Sequence, residues 1–377
     1  MRGVRQLARR EKRPEGGPVV PTRSAAKGRD LLALVTGGAA PCAVLRRAGR
    51  SLAALGTTAL CSSLVPAVAR AQRATSAESF RAESFRPAPE RRDAALERKL
   101  AELTRGFAGD VGIYVRHLRS GRTAALRADE VFPTASMIKV PLLVGVYDAN
   151  ARGRLRIDTT LTFRDSLRYP GEDLVAELRD SSAVPLTKAA MLMITTSDNT
   201  ASLWLQGVVG GANVNAWLAA HGYDSTRVNS RVPGREAARA RFGWGQTTPR
   251  EMARLFVDIR AGRAVSRAAS EEMYRALTRI YWNGEALSQL PPWVQAASKQ
   301  GAVDRSRSET VLVNAPGGDY VFSVITRNQA DTSYAAGNAG FVLLRRVSAL
   351  LWREFESGHP WTPDPAAAAF KPGSDGP

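Results

Sequence analysis

Cysteine and histidine are scarce in this chain of 377 residues, which has two cysteines, Cys42 and Cys61, and three histidines, His117, His221 and His359. Because both cysteines lie near the N-terminus, the rest of the chain has no thiol for a disulfide or a thiolate metal site. The motifs H-E-x-x-H, C-x-x-C and G-x-S-x-G are also missing. The sequence therefore predicts neither a zinc centre nor a Ser-His-Asp site, and no cofactor or metal is expected.

Lysine is also rare, since only seven of the 53 basic residues are lysines. Arginine keeps its proton in a protein whereas a buried lysine can lose it, so a lysine in so arginine-rich a chain is a candidate for proton transfer. Between residues 100 and 356 the lysines are Lys139, Lys188 and Lys299. Lys139 stands in the apolar run M-I-K-V-P-L-L, where an ammonium is costly unless it is paired or deprotonated. Lys188 is interpreted as a helix-surface residue.

The formal net charge of +18 does not indicate nucleic-acid binding, because it is unevenly placed. Residues 1–71 carry 13 basic and 3 acidic side chains, and the remainder carries 40 and 32. No basic run is interleaved with aromatic residues, so a nucleic-acid partner is not expected. Five arginines between residues 227 and 241 are interpreted as a solvated surface, with a basic lip for acidic substrates as the alternative.

Residues 1–71 are typical of a leader with an export signal rather than of a folded domain. The stretch R-R-A-G-R precedes a small, apolar segment at residues 51–68, and an A-R-A cleavage site follows directly before Gln72. We therefore expect a periplasmic or secreted protein without a stable membrane span after cleavage, with a retained anchor helix as the alternative. Residues 72–93 repeat A-E-S-F-R and contain two prolines, which predicts a disordered spacer.

Hydrophobic periodicity predicts a folded domain at 94–356 and a disordered tail at 357–377. A hairpin at 111–127 should place His117 on a strand surface, while Thr187 and Thr248 can each cap a helix. The predicted order is helix, two strands, a helical block, three strands and a final helix. This order favours an α+β fold, an α-β-α sandwich. An antiparallel five-stranded sheet would have the terminal helices on one face and a large all-helical subdomain on the other.

Three short motifs bring chemically useful side chains into one constellation. Ser136 and Lys139 are three residues apart and share one face of a helix, so a desolvated lysine can activate the serine hydroxyl. Taken alone, this pair is equally well explained by a lysine that reaches out of a core helix. The second motif is S-D-N at 197–199, and the third is K-Q-G at 299–301. The backbone amide of Ala302 could pair with that of Ser136 as an oxyanion hole.

The order and separation of these motifs resemble those of the class A serine β-lactamases, whose set is S-x-x-K, S-D-N and K-T-G. Ser197 follows Ser136 by 61 residues and precedes Lys299 by 102, and the resemblance extends from about residue 94 to about 356. It implies an acylated nucleophile at Ser136 and a lysine, Lys139, that helps to deprotonate it. It further implies a proton relay at Ser197 and substrate binding by Asn199, Gln300, Gly301 and Ala302. Lys299 would be a second catalytic cation that holds the substrate carboxylate region and tunes Ser197.

Two departures from that family concern substrate binding and turnover. Gln300 replaces a threonine, so the hydroxyl that contacts the β-lactam carboxylate is missing, although the longer amide could donate a hydrogen bond. The family also carries a deacylating glutamate in a loop, and at that position this chain has Val232. Glu236 lies four residues further on and is the candidate base only if the loop follows a different path.

The resemblance implies a serine hydrolase that acts on a small-molecule substrate through an acyl-serine intermediate. β-Lactam hydrolysis, with slow deacylation, is the first hypothesis. A penicillin-binding D-alanyl-D-alanine peptidase or esterase is the alternative on the same scaffold. A ligand-binding protein without turnover is the second alternative, and the retention of all five polar motif residues argues against it. A monomer is expected.

Overall fold

The computed structural model describes residues 85–171 and 173–373. The predicted export signal and the spacer before residue 85 lie outside the described residues.

Helices alternate with short connections through most of the described chain. The α-helices are α1 Ala94–Thr104, α2 Lys139–Ala151, α3 Leu186–Thr195, α4 Asn199–Val209, α5 Gly211–Ala220, α6 Glu236–Phe242, α7 Pro249–Arg260, α8 Arg267–Leu277 and α9 Ala339–Phe355. Short 3₁₀ segments are Ala135–Ile138, Asp165–Leu167, Val175–Glu177, Ala286–Gln289 and Pro365–Phe370.

The strands form one large sheet and two small ones. They are β1 Arg91–Arg92, β2 Asp110–His117, β3 Arg122–Leu126, β4 Phe132–Pro133, β5 Thr160–Thr162, β6 Ala183–Pro185, β7 Arg227–Val228, β8 Gly245–Thr247, β9 Ala296–Val303, β10 Ser306–Val313 and β11 Tyr320–Arg327. The large sheet has the order β1-β3-β2-β11-β10-β9. Its five long strands pair antiparallel, and β9 is its outer strand on the side opposite β1.

Apolar side chains on the two faces of this sheet belong to two separate cores. Val111, Ile113 and Val115 of β2 pack with residues of α1 and α9. Tyr114, between them, belongs to the larger core, which contains the helical block. Because successive strand residues point to opposite faces, this alternation divides the molecule into terminal helices, sheet and helical block. The predicted α+β layering is therefore confirmed.

The sheet has one strand more than the sequence analysis predicts. Arg91 and Arg92 pair in parallel with Arg122 and Thr123, in a stretch that the sequence predicts to be a disordered spacer. Gly121 is required here, since a Cβ at its positive φ of 70° would lie 1.9 Å from the carbonyl oxygen of Pro89. Backbone hydrogen bonds to the next hairpin thus order a segment that has little hydrophobic patterning of its own.

The sequence also predicts a disordered C-terminal tail, whereas its described part packs on the domain. The indole nitrogen of Trp352 donates to the carbonyl oxygen of His359 at 3.0 Å. The carbonyl oxygen of Pro372 accepts from the amide of Gly284 at 2.9 Å. Contacts with distant segments therefore fix this proline-rich tail.

Two local expectations were wrong and one was confirmed. His117 is buried, 7% exposed, because its ring packs against Phe355 with a centroid distance of 4.9 Å. Thr187 does not cap α3, whose N-cap position is Pro185. Thr248 does cap α7, since its side chain accepts from the amide of Glu251 at 3.1 Å.

Replacing the cap of α1 should destabilise the protein measurably. Asp93 accepts from the amide of Leu96 at 3.0 Å and from the guanidinium of Arg122 at 2.7 Å. We expect Asp93→Ala to lower the free energy of unfolding in urea by about 0.5–2 kcal/mol. The matched control is Glu102→Ala, which removes an exposed pair with Arg105 and should change stability by less than about 0.5 kcal/mol. Equal effects of both substitutions would contradict the importance of the cap.

Candidate active site

The first site residue lies on a tight turn that opens the longest buried helix of the helical block. Ser136 belongs to the 3₁₀ segment Ala135–Ile138, and Lys139 begins α2 directly after it. Ala135 has a φ of +44°, which is unusual for a residue with a side chain and marks local backbone strain. The α-helix itself begins only at Lys139, after Ser136. The 3₁₀ turn still brings the Lys139 Nζ to 3.0 Å from the Ser136 Oγ.

Lys139 is fully buried and is surrounded by polar oxygens from the S-D-N turn. Its Nζ lies 2.7 Å from Asn199 Oδ1 and 3.1 Å from Ser197 Oγ, and it also donates to the backbone carbonyl of Ser197. Burial lowers the pKa of Lys139 from 10.5 to about 7, although Asp173 and Asp198 act in the opposite direction. A lysine with such a pKa can accept a proton near neutral pH.

Ser197 links the two buried lysines of the site. The Lys299 Nζ lies 3.0 Å from the same Ser197 Oγ that Lys139 contacts. Ser197 has a φ of +62°, between the end of α3 and the start of α4, so it sits on a strained connection. Burial lowers the pKa of Lys299 well below its ordinary value, and the neighbouring Lys139 lowers it further.

A glycine at position 301 lets the outer strand β9 approach the Ser136 turn closely. A Cβ on Gly301 would lie 2.6 Å from the carbonyl oxygen of Thr134 and 2.9 Å from the amide nitrogen of Ser136. Only glycine fits at this approach of two backbones. Ala302, the next residue, lines a pocket of about 690 Å³ together with Ser136 and Asn199.

The rest of that pocket is aromatic and basic. Tyr169 and Trp244 meet edge to face with their ring centroids 5.2 Å apart, and both line the pocket. Arg241 and Arg305 lie on its wall, so its walls combine apolar surface with positive charge. This is the lining expected for an acyl compound with a polar or anionic substituent.

Asp173, which the sequence motifs do not predict, fixes the S-D-N turn from outside. Its carboxylate accepts from the backbone amides of Asn199 at 2.8 Å and Thr200 at 2.6 Å. Asp198 makes the reverse connection, because it accepts from the amide of Val175 at 2.8 Å. Two carboxylates thus clamp two segments together. No local sequence motif indicates a role for Asp173, since its partners lie 26 and 27 residues further along the chain.

Val232 and Glu236, the two loop residues considered for deacylation, both lie outside the pocket. Glu236 is exposed at the first position of α6, where its Oε1 accepts from the amide of Gly234 at 3.1 Å. Val232 is buried and packs towards Gly211. Neither lines the pocket that contains Ser136.

Within the described ranges, no group of three or more His, Cys, Asp or Glu side chains is arranged to hold a metal ion. In the same part of the chain, no helix is both long and apolar enough to cross a bilayer. 

Residues 95–355 match the family model described as the beta-lactamase enzyme family. A β-lactamase of Streptomyces fradiae is 30% identical over 169 residues, which cover 44% of this chain and 55% of that protein. The β-lactamase L2 of Stenotrophomonas maltophilia is 28% identical over 264 residues, covering 58% and 84%. The chain thus spans only about half the length of the Streptomyces fradiae relative.

Solved structures give the same similarity over a larger share of the chain. PBP-A superposes with a TM-score of 0.64 at 28% identity, covering 72% of this chain and 99% of PBP-A. A mutant of PBP-A, solved as an acyl-enzyme complex with penicillin G, gives a TM-score of 0.64 at 27% identity, with the same coverage. A class A β-lactamase from Mycobacterium abscessus gives 0.62 at 17% identity over 69% of this chain and 99% of that one, which supports the fold alone.

The buried lysine predicts a pH-dependent stability that can be measured without a substrate. Between about pH 7 and 10.5 the unfolded chain holds a proton on Lys139 that the folded chain lacks, so stability should rise with pH. Lys139→Met should reduce this slope by up to about 1.4 kcal/mol per pH unit in denaturant unfolding. Lys188→Met, on an exposed helix surface, is the control and should leave the slope unchanged. An unchanged slope in both variants would show that Lys139 stays protonated.

Proposed function

The chain belongs to the beta-lactamase enzyme family, and from this we propose that it is a serine hydrolase that opens β-lactam rings through an acyl-serine intermediate. The observation that carries the proposal is the contact between the buried Lys139 Nζ and the Ser136 Oγ at 3.0 Å, since Ser136 lines a pocket large enough for a small acyl compound. A serine hydroxyl is a weak nucleophile unless a neighbouring base takes its proton.

We assign the first proton transfer to Lys139. Its pKa of about 7 leaves a substantial fraction unprotonated at neutral pH, and such a base is well matched to general base catalysis. As the Ser136 Oγ attacks the lactam carbonyl carbon, its proton passes to the Lys139 amine. Asn199 Oδ1, at 2.7 Å from the Nζ, stabilises the resulting ammonium.

Ser197 then delivers a proton to the lactam nitrogen as the ring opens. Its hydroxyl lies 3.1 Å from the Lys139 Nζ and 3.0 Å from the Lys299 Nζ, so it can exchange protons with either lysine. A cation beside this hydroxyl favours its transient deprotonation. Two flanking lysines therefore support a relay role for Ser197.

The negative charge on the acyl oxygen needs donors that are fixed before the reaction. We propose the backbone amides of Ser136 and Ala302, and the close approach of Gly301 to the Ser136 nitrogen supports this pairing. Asn199, which lines the same pocket, would bind the acyl side chain through its amide. Gln300 and Gly301 would line the opposite end of the substrate.

Deacylation should be the slow step. The loop position of the family's glutamate holds the buried Val232, and Glu236 is exposed and hydrogen-bonded to Gly234. Asp173 and Asp198, the carboxylates that act on Lys139, both accept hydrogen bonds from backbone amides. None of these three carboxylates lines the pocket that contains Ser136, so none is placed to hold a water against the acyl group.

A second candidate is a penicillin-binding D-alanyl-D-alanine peptidase or esterase activity at the same serine. The valine at position 232 and the similarity to PBP-A favour it, because a site that acylates well without a deacylating base behaves as a penicillin-binding protein. A ligand-binding role without turnover is disfavoured, since Ser136, Lys139 and Ser197 are assembled within hydrogen-bond distance.

We further propose that the enzyme acts outside the cytoplasm as a monomer, and that it contributes to β-lactam resistance where turnover is sufficient. The A-R-A cleavage site at 69–71 and the apolar segment before it support export. The N-terminal sequence of protein recovered from the periplasm or medium would test it, with Gln72 as the expected first residue.

Replacing the proposed nucleophile should abolish acylation without unfolding the protein. We expect wild-type protein to gain the mass of penicillin G, and Ser136→Ala to gain nothing, as read by intact mass spectrometry. Ser357→Ala removes an exposed hydroxyl beyond the last helix and should label like the wild type. A persistent adduct on Ser136→Ala would refute the assignment.

The loop valine should limit turnover. If the site lacks a base, Val232→Glu should speed loss of the adduct by roughly 10²-fold, because a positioned general base contributes about that much or more. Glu236→Gln is the matched control and should leave deacylation unchanged. Trapping of the adduct by Glu236→Gln would identify Glu236 as the base instead. Fast hydrolysis by the wild type, without a burst of a chromogenic cephalosporin product, would contradict slow deacylation altogether.

A further inference from the structure

We propose that Gln300 makes this site select acyl donors whose end group beside Lys299 is uncharged, in preference to those that carry a carboxylate there. The inference rests on the proposed acyl-serine function and concerns which substrates acylate Ser136 fastest. It depends on the hydrogen bonds of Lys299, on the place of Gln300 at the edge of the sheet, and on the donor that Gln300 leaves free.

Every proton of the Lys299 ammonium already has an acceptor within the protein. The Nζ lies 2.8 Å from Gln300 Oε1, 3.0 Å from the Gln300 backbone carbonyl and 3.0 Å from Ser197 Oγ. An ammonium carries three donors and no acceptor. The side chain is also fully buried. A substrate carboxylate would therefore have to displace Gln300 Oε1 before it could bind this cation.

The length of Gln300 and the edge position of its strand allow this contact. Successive residues of a strand point to opposite faces, yet the Lys299 Nζ contacts both the backbone carbonyl and the side-chain Oε1 of Gln300, so the two side chains meet at the edge of the strand. β9 is the outer strand of the sheet, and no further strand stands in the way. A serine or threonine hydroxyl, which sits on the Cβ, is too short for the same path. With a glutamine at position 300, the Lys299 Nζ therefore has no N–H left to donate to a substrate carboxylate.

Gln300 occupies the Lys299 ammonium with its Oε1, and it offers the neutral N–H of its own Nε2 as a donor to a substrate. Among the hydrogen bonds of the described residues, the Nε2 of Gln300 donates to no protein acceptor, and it is not one of the solvent-inaccessible polar atoms that lack a partner. This N–H can therefore exchange a water molecule for a ligand acceptor. A neutral carbonyl oxygen, as in an ester or amide, gives up little hydration to bind it. A carboxylate must be desolvated at much greater cost.

The surrounding charges do not restore a binding site for a carboxylate at this point. Burial and the charge of Lys139 both oppose protonation of Lys299, and only Glu309 favours it. Arg241 and Arg305 are on the pocket wall, but they remain in place whichever residue occupies position 300. A comparison between variants at position 300 therefore isolates the effect of Gln300.

The test uses penicillin G and its methyl ester, which differ only in the charge of one group. The second-order rate constant for acylation of Ser136 is measured by intact mass for wild type, Gln300→Thr and Gln300→Ala. We expect the ester to acylate the wild type faster than the acid, so that the ratio of acid to ester is below one. Both substitutions should raise it at least about tenfold, because a charge-assisted hydrogen bond to Lys299 becomes available. Gln300→Glu, which adds a negative charge beside Lys299, should lower it.

Opposite shifts from substitutions of one residue are not expected of a purely structural role. A ratio that Gln300→Thr and Gln300→Ala leave unchanged would overturn the inference while leaving the proposed function intact. A wild type that reacts faster with the acid than with the ester would also overturn it. If neither compound labels Ser136 in any folded variant, the proposed function fails, and the inference fails with it.

Discussion

The burial of one lysine is the constraint on which the site depends. Lys139 is inaccessible to solvent, and removing a cation from water is tolerated only when acceptors replace the lost hydration or the proton leaves. Its acceptors come from the Ser136 turn and from the connection between α3 and α4. The same burial that costs stability brings the pKa of Lys139 to about 7, where proton transfer is useful.

Backbone strain and its compensation follow from the same requirement. Ala135 and Ser197 both have positive φ angles although neither is a glycine, and each stands at or beside a reacting group. Such conformations persist only when surrounding contacts determine them. For Ser197 those contacts include Asp173 and Asp198, whose carboxylates bind the amides that start α4 and the neighbouring loop. The carboxylates hold the turn and also add negative charge near Lys139.

The other side of the site is formed by a sheet edge. Gly301 allows β9 to come against the Ser136 turn, and Lys299 projects from the same strand to Ser197. The proposed nucleophile, base, relay and oxyanion donors therefore come from a helix, a turn and a strand. The loop at Val232 contributes apolar packing instead of a carboxylate, and on this difference rests the proposal of ready acylation and slow deacylation.

The sequence by itself determined the elements that depend on local patterning. Alternation and helical periodicity predicted the three-layer fold, the Ser-x-x-Lys spacing put both groups on one turn, and the rarity of lysine singled out Lys139 and Lys299. Only the tertiary structure decided the added strand at Arg91, the burial of His117, the clamp at Asp173, the bond from Lys299 to Gln300 and the exposure of Glu236. Most of these features depend on contacts between residues that are distant in the chain. The bond between Lys299 and Gln300 depends on the side-chain conformations at the open edge of the sheet. Local propensity carries no information about either.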